Sequence, residues 1–99
     1  MDAKKEEWRD VVGWEGHYKV SNLGNVYSLK RHKIMVGKID RYGYRQYTFC
    51  KDGKNYYYTA HRLVALAFIG EPPEGKNTVN HKNGNKLDNR LENLEWCSV

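Results

Sequence analysis

The dipeptide Asp52-Gly53, placed between two aromatic-rich runs, is the feature that most restricts the fold of this chain. Tyrosine and phenylalanine recur through residues 42–49, and three consecutive tyrosines follow at 56–58. Aromatic side chains favour strands, and a two-residue type I′ turn needs positive φ at both central positions, which Asp-Gly tolerates. The pattern therefore predicts a β-hairpin here, with one strand on each side of the turn.

A second hairpin is predicted upstream, where residues 18–22 and 25–29 flank Leu23-Gly24. The two hairpins together predict one small antiparallel sheet over about residues 17–60. Successive side chains of a strand point to opposite faces, so the Lys and Arg side chains of this region are expected to project from one face.

Residues 60–69 read AHRLVALAFI, a continuous apolar run rather than an alternating one. Thr59 is available as an N-cap and Gly70 as a stop signal, so the run predicts a short, mostly buried helix, with a strand as the competing interpretation. Residues 78–81 and 94–99 predict two further short strands separated by a turn-rich segment. The expected fold class is α+β.

The length of 99 residues leaves room for one domain or two small lobes and excludes a multi-domain enzyme. We expect lobes at residues 1–59 and 60–99. No run approaches the roughly 20 apolar residues of a membrane span, and residues 1–10 are charged where a signal peptide is apolar. Cys50 and Cys97 lie far apart without a Cys-x-x-Cys spacing, which argues against a thiolate zinc site and fits a reducing cytoplasm.

The net charge of +5 is concentrated in one segment, residues 30–54, where eight basic side chains face two acidic ones. Such a cluster predicts an anionic partner, and an ordinary solvated face is the alternative. The candidate contact residues for a nucleic acid are Lys30, Arg31, Lys33, Lys38, Arg41, Arg45 and, in the predicted helix, Arg62. Phosphate contacts from these side chains would give affinity without sequence information.

Two longer patterns are specific to a family. Residues 79–96 read VNHKNGNKLDNRLENLEW and are preceded by HRLVA at 61–65. This pattern resembles the HNH nuclease motif of phage homing endonucleases. Residues 12–28 read VGWEGHYKVSNLGNVYS and are similar to the modular DNA-binding motif that commonly precedes it. Together the two matches cover most of the chain.

The resemblance implies metal-dependent hydrolysis or nicking of double-stranded DNA at a ββα-metal site, with the first lobe binding DNA and the second cutting it. His81 matches the general base, and neutral imidazole accepts a proton near neutral pH. Asn80 matches the ligand of one divalent ion, Mg²⁺ or Mn²⁺, for which an amide oxygen is a suitable but uncharged donor. Asn93 matches the residue that orients the loop and the base.

One departure concerns the last ligand of the motif, a His or Asn that the family places on a helix beyond the tryptophan matching Trp96. This chain stops at Val99. The resemblance therefore implies the two strands of an incomplete ββα unit, a fragment of a longer protein, and weak metal binding with little cleavage. It implies no membrane or protein partner, and a location in the bacterial host cytoplasm if the protein is phage-encoded.

Other interpretations stay open. A catalytically inactive DNA-binding module and an RNA-binding protein would carry the same charge pattern. On spacing alone, an Asn-His pair in a turn-rich region is readily structural. His61 is expected to be a cap or a core hydrogen-bonding residue rather than a second base. Trp8, Trp14 and Trp96 are expected to pack in the core or between the lobes.

Overall fold

A computed structural model of the chain describes residues 5–98, so that Val99, the end of the last predicted strand, lies outside the described part. Small antiparallel sheets and one short helix make up this part, which confirms the α+β prediction. The elements are β1 (Trp8–Asp10), β2 (Tyr18–Ser21), β3 (Val26–Ser28), β4 (Lys33–Ile34), β5 (Lys38–Ile39), β6 (Arg45–Lys51), β7 (Lys54–Thr59), α1 (Ala60–Val64), β8 (Thr78–His81) and β9 (Leu94–Cys97).

Both predicted hairpins are present. Strands β2 and β3 pair around the Leu23-Gly24 turn, where the Ser21 hydroxyl accepts hydrogen bonds from the backbone N–H groups of Leu23 and Asn25. Strands β6 and β7 pair around Asp52-Gly53, whose φ angles of 52° and 75° are both positive. The second turn thus has the φ signs that a type I′ turn requires.

The prediction of a single sheet over residues 17–60 is wrong. The strands form two sheets, one in the order β1-β2-β3-β4 and the other in the order β5-β6-β7. The chain leaves the first sheet at Met35, whose N–H still donates to the Val26 carbonyl at 2.7 Å, and turns at Gly37 with φ of 68°. A left-handed residue between two short strands redirects the chain, so β4 and β5 do not pair with each other.

The predicted helix is present, but only its first half is α-helical. Residues Ala65–Ile69 continue α1 as a π-helical turn, and Gly70 ends it with φ of 108°. Thr59 occupies the N-cap position in an extended conformation, but its hydroxyl makes no capping hydrogen bond. Within residues 5–98, no helix is long and apolar enough to cross a membrane.

One hydrophobic cluster lies between the two sheets and the helix, and it draws side chains from both sides of residue 59. Val20, Val26 and Phe49 of the sheets are fully buried together with Val64 of α1, and Leu94 of β9 joins them. Trp14 and Trp96 are buried as expected, whereas Trp8 is only half-buried. The core therefore holds the β8–β9 pair, which carries the candidate site, against strands β2, β3 and β6.

Candidate active site

His81 is the last residue of β8 and lies opposite Leu94 of β9. The residue is 7% exposed, and its ring lies close to His61 of α1 and to Tyr44. The ring nitrogen Nε2 lies 2.9 Å from the side-chain oxygen Oδ1 of Asn89, in the loop between β8 and β9. The side chain is thus held at the strand end by a polar contact.

Three rings meet around His81. The ring centroids of His61 and His81 are 4.9 Å apart, and the Tyr44 ring lies 4.8 Å from the first and 5.9 Å from the second. His61 Nδ1 is buried without a hydrogen-bond partner among the described residues, so the expected capping or core hydrogen bond is not made through this atom. Burial, assisted by the nearby His81 and Arg62 and opposed by Asp40, lowers the pKa of His61 to about 4.

Asn93 closes the loop that joins β8 to β9. Its amide oxygen accepts a hydrogen bond from the Asn83 backbone N–H at 3.1 Å. Its amide nitrogen donates to the Asn83 side-chain oxygen at 3.0 Å and to the Asp88 carbonyl at 2.9 Å. The side chain is buried and belongs to the 3₁₀ helix Leu91–Asn93, which leads into β9. Asn93 therefore fixes the loop rather than touching the His81 ring.

An exposed ion pair braces the same loop. The Arg90 guanidinium donates two hydrogen bonds of 2.7 Å to the Asp88 carboxylate. The Arg90 hydrogen bond, assisted by one from Asn83 and opposed by burial, lowers the pKa of Asp88 to about 2. The Asp88 carboxylate is therefore ionised, and able to accept these hydrogen bonds, over the neutral pH range.

Asn80 and His81 point to opposite faces of the β8–β9 pair, as neighbouring residues of a strand do. Asn80 is exposed, and its amide nitrogen donates to the Glu95 carboxylate at 2.9 Å across the strands. The amide oxygen of Asn80 and the Glu95 carboxylate are the donor types that a hard divalent ion prefers. Over residues 5–98, no group of three or more His, Cys, Asp or Glu side chains could hold a metal ion.

Four of the predicted DNA-contacting residues line one groove between the two sheets. These are Lys30, Arg31, Lys33 and Lys38, and the groove has a volume of about 700 Å³. Its floor includes polar side chains of β6 and β7, among them Gln46, Thr48 and Asn55. The groove is therefore cationic along the segment from β3 to β5.

The other three predicted contact residues lie outside this groove. Arg45 lines a neighbouring cavity and donates to the Val36 carbonyl at 2.7 Å. Arg41 lies over the Tyr42 ring. Arg62, on α1, stacks on Trp96 and donates to the Asn77 carbonyl at 3.0 Å. Each guanidinium thus has a structural contact as well as free N–H groups for an anion.

Two residues beside His81 were missed by sequence reasoning. Asn89 lies in a turn-rich segment where asparagine has an ordinary explanation, and Tyr44 comes from a distant strand start. Lys86 covers the outer face of the Tyr44 ring at 4.9 Å and donates to the Tyr42 carbonyl. Only tertiary contact reveals Asn89 and Tyr44 as neighbours of His81, because no local pattern links them to it.

Comparison with known proteins matches two family models to this chain. The model of the NUMOD4 motif matches residues 6–50, and the model described as HNH endonuclease matches residues 58–99. The second match contains Asn80, His81 and Asn93, and the first ends within β6.

Relatives and a solved structure agree with these models. The chain is 46% identical over 92 residues to DNA endonuclease I-HmuI of Bacillus phage SP01, covering 93% of this chain and 52% of the relative. It is 40% identical over 78 residues to H-N-H endonuclease F-TflII of Escherichia phage T5, covering 78% of this chain and 40% of the relative.

A solved structure described as DNA binding and cleavage by the HNH homing endonuclease I-HmuI superposes with a TM-score of 0.85. It is 44% identical, over 93% of this chain and 52% of that one. This chain thus spans about half the length of I-HmuI, and 40% of the length of F-TflII. Residues 58–99 thus match an HNH endonuclease region with a NUMOD4 motif ahead of it at residues 6–50, and over 93% of its length the chain is similar to the homing endonuclease I-HmuI.

Proposed function

We propose that this chain is the part of a DNA endonuclease that hydrolyses or nicks phosphodiester bonds of duplex DNA. The observation that carries the proposal is the His81 imidazole, held at the end of β8 beside a loop braced by Asn93, within a region that matches the HNH endonuclease model. The NUMOD4 match over residues 6–50 supports a separate DNA-contacting role for the first lobe, residues 1–59, and a nuclease role for residues 60–99.

His81 is the general base in this proposal. A neutral imidazole takes a proton from the water that attacks the phosphorus atom, and such proton transfer contributes about 10²–10⁴-fold to a rate. Asn93 acts at one remove, because its three hydrogen bonds hold the loop that flanks the base. If this loop were mobile, the His81 ring would be less well aligned with the attacking water, and the reaction would be slower.

The family's divalent ion, Mg²⁺ or Mn²⁺, is placed at Asn80. When bound, it stabilises the charge that develops on the phosphate and on the leaving 3′ oxygen. Glu95, hydrogen-bonded to Asn80, offers a carboxylate oxygen on the same face of the strand pair. Asn80 and His81 lie on opposite faces of the strand pair. A phosphodiester that contacts both residues therefore has to lie across the end of β8, next to Lys82.

The cationic groove is the proposed contact surface for the DNA backbone. Lys30, Arg31, Lys33 and Lys38 provide four positive charges in one groove, and Arg41, Arg45 and Arg62 add three guanidinium groups outside its lining. Lysine and arginine contacts to phosphates release counterions, which gives affinity that falls steeply with salt. The proposed partner is therefore double-stranded DNA, without a protein partner.

Plasmid nicking tests the proposal. Supercoiled DNA is incubated with the protein in Mg²⁺ or Mn²⁺, and the appearance of nicked circles is timed for the parent, for His81→Ala and for His17→Ala, which removes an exposed histidine. We expect His81→Ala to slow nicking by about 10²-fold or more and His17→Ala to match the parent. Equal rates for His81→Ala and the parent would show that His81 is not the base.

A catalytically inactive DNA-binding module is the second candidate. Two observations favour this candidate. Asn80 would be an uncharged ligand, and the described residues include no group of three His, Cys, Asp or Glu side chains that could hold a metal ion. This candidate predicts salt-sensitive DNA binding without metal dependence. Titration with Mn²⁺ separates the two, because paramagnetic broadening of the His81 ring signals is expected only if the ion binds at Asn80.

A further inference from the structure

We propose that Asn89 is a positioning residue that fixes the tautomer of His81, and that the Gly24 turn of the first sheet keeps Asn89 in place. The inference rests on the proposed function in one respect, that His81 is the base. It adds a residue that the HNH pattern did not single out and a physical link from the first lobe to the base.

The tautomer follows from the chemistry of the contact. An amide oxygen can only accept a hydrogen bond, so the 2.9 Å contact between Asn89 Oδ1 and His81 Nε2 requires the proton to be on Nε2. In a neutral imidazole the other nitrogen then carries the lone pair. Nδ1 is therefore the atom that takes a proton from water. Both side chains are buried, at 5% and 7% exposure, so water does not compete freely for the contact.

Gly24 leaves no room between the first sheet and Asn89. A Cβ atom added at residue 24 would lie 2.9 Å from Asn89 Cβ and 3.0 Å from the Asn89 carbonyl oxygen. Gly24 also has φ of 91°, which other residues rarely adopt. The β2–β3 turn is thus in close contact with Asn89, the residue whose side chain is hydrogen-bonded to His81.

A backbone hydrogen bond fixes the same junction. The Leu91 N–H donates to the Asn22 carbonyl at 2.7 Å, two residues after Asn89 and two before Gly24. A cavity of about 250 Å³ adjoins this junction and is lined by both Gly24 and Asn89. An atom added at residue 24 would overlap Asn89, so the turn or Asn89 has to move to accommodate it. The turn between β2 and β3 consequently sets the position of the base's hydrogen-bond partner.

Nitrogen NMR of the protein tests the assignment without requiring cleavage. Long-range proton–nitrogen spectra at neutral pH should show His81 protonated at Nε2, with that proton slow to exchange with water. Asn89→Asp keeps an acceptor and should keep the slow proton, whereas Asn89→Leu should lose it. Asn85→Leu is the matched control, because the Asn85 amide lies exposed in the same loop and accepts from the Leu87 N–H.

The role of Gly24 is tested by the same signal. Gly24→Ala should speed the exchange of the His81 Nε2 proton. Gly53→Ala should not, since φ is also positive there but no atom lies within 4 Å of an added Cβ. If the protein cleaves DNA, Asn89→Leu should lower kcat by about 10–100-fold, as loss of a supporting contact does, with the Kd for DNA unchanged.

Two results would overturn the inference. One is a parent protein with the His81 proton on Nδ1, a measurement that needs no variant and no folding control. The other is an Asn89→Leu protein whose His81 spectrum equals that of the parent. The proposed function fails separately, through His81→Ala proteins that nick DNA at the parental rate, and that result would leave the tautomer assignment standing.

Discussion

At the scale of single residues, the contrast between His61 and His81 is the most informative. Their rings touch the same Tyr44 ring, yet His81 has a hydrogen-bond acceptor in Asn89, whereas His61 Nδ1 is buried without one. A charged imidazole in the second environment loses hydration without compensation. Protonation of His61 is therefore expected to destabilise the folded chain.

The pH dependence of stability should reveal His61. Folding lowers the pKa of His61 from 6.5 to about 4. Between pH 4 and pH 6.5, His61 is therefore protonated in the unfolded chain but not in the folded chain. The free energy of unfolding therefore decreases as pH falls through this window. His61→Phe should have a flatter profile than the parent in urea unfolding between pH 4 and 7.

Substitution of an exposed histidine provides the control for that experiment. His17→Gln removes a histidine from the surface and should leave the slope of the parent unchanged. A His61→Phe protein with the parental slope would mean that His61 is not held neutral by its surroundings.

Asn93 should matter for stability as well as for the site. Asn93→Ala removes the partner of the Asn83 N–H and of the Asp88 carbonyl in two part-buried hydrogen bonds, which should cost about 1–3 kcal/mol of unfolding free energy. Asn85→Ala, an exposed asparagine of the same loop, should cost less than about 1 kcal/mol. Chemical denaturation measures both, and equal losses would contradict the structural role of Asn93.

Single residues of the site were predictable only where a long ordered pattern contains them. The run over residues 79–96 predicts His81, Asn80 and Asn93 as site residues because it resembles a known motif. Their geometry was not predictable, since the opposite directions of Asn80 and His81 and the Asn89 contact depend on the pairing of β8 with β9. A chain position alone does not say which face of a strand is buried.

At the scale of elements, local signals succeeded and long-range pairing did not. The Asp52-Gly53 turn and the strand Thr78–His81 agree with prediction, because the φ preferences and apolar runs involved are properties of a few neighbouring residues. The division into two sheets depends on where the chain turns at Gly37, which packs against Tyr47 from β6. No neighbouring residue signals that contact.

Gly37 and Gly53 form a matched pair for testing this division. Both have positive φ, but a Cβ added at residue 37 would lie 2.8 Å from the Gln46 carbonyl oxygen, whereas one at residue 53 meets nothing within 4 Å. Gly53→Ala should cost about 1 kcal/mol for the backbone conformation alone. Gly37→Ala should cost about 3 kcal/mol or more in thermal or urea unfolding, because overlap is added to strain. Equal costs would show that the junction is not tightly packed.

At the scale of the whole molecule, one core joins residues before and after residue 59, whereas the excess positive charge lies before it. Val20, Phe49, Val64 and Leu94 bury one another across residue 59, and Arg9 of β1 donates to the Ala67 carbonyl beyond α1. The net charge of residues 30–54 exceeds that of the whole chain. In the proposed function, a duplex bound by the cationic groove would therefore contact the same packed core that carries His81.

The salt dependence of DNA binding should therefore depend on where charge is removed. The double substitution Lys33→Gln and Lys38→Gln removes two charges from the groove, and Lys5→Gln with Lys76→Gln removes two from exposed positions outside its lining. Each lost phosphate contact lowers the magnitude of the slope of log K against log salt by about 0.9, so this magnitude should fall by about 1 to 2 in the groove variant.

Fluorescence anisotropy of a labelled duplex over a range of NaCl concentrations measures both slopes. The control variant should keep nearly the parental slope because its charges lie away from the phosphates. If both variants shift the slope equally, net charge rather than the groove governs binding, and the DNA contacts have to be placed elsewhere on the surface.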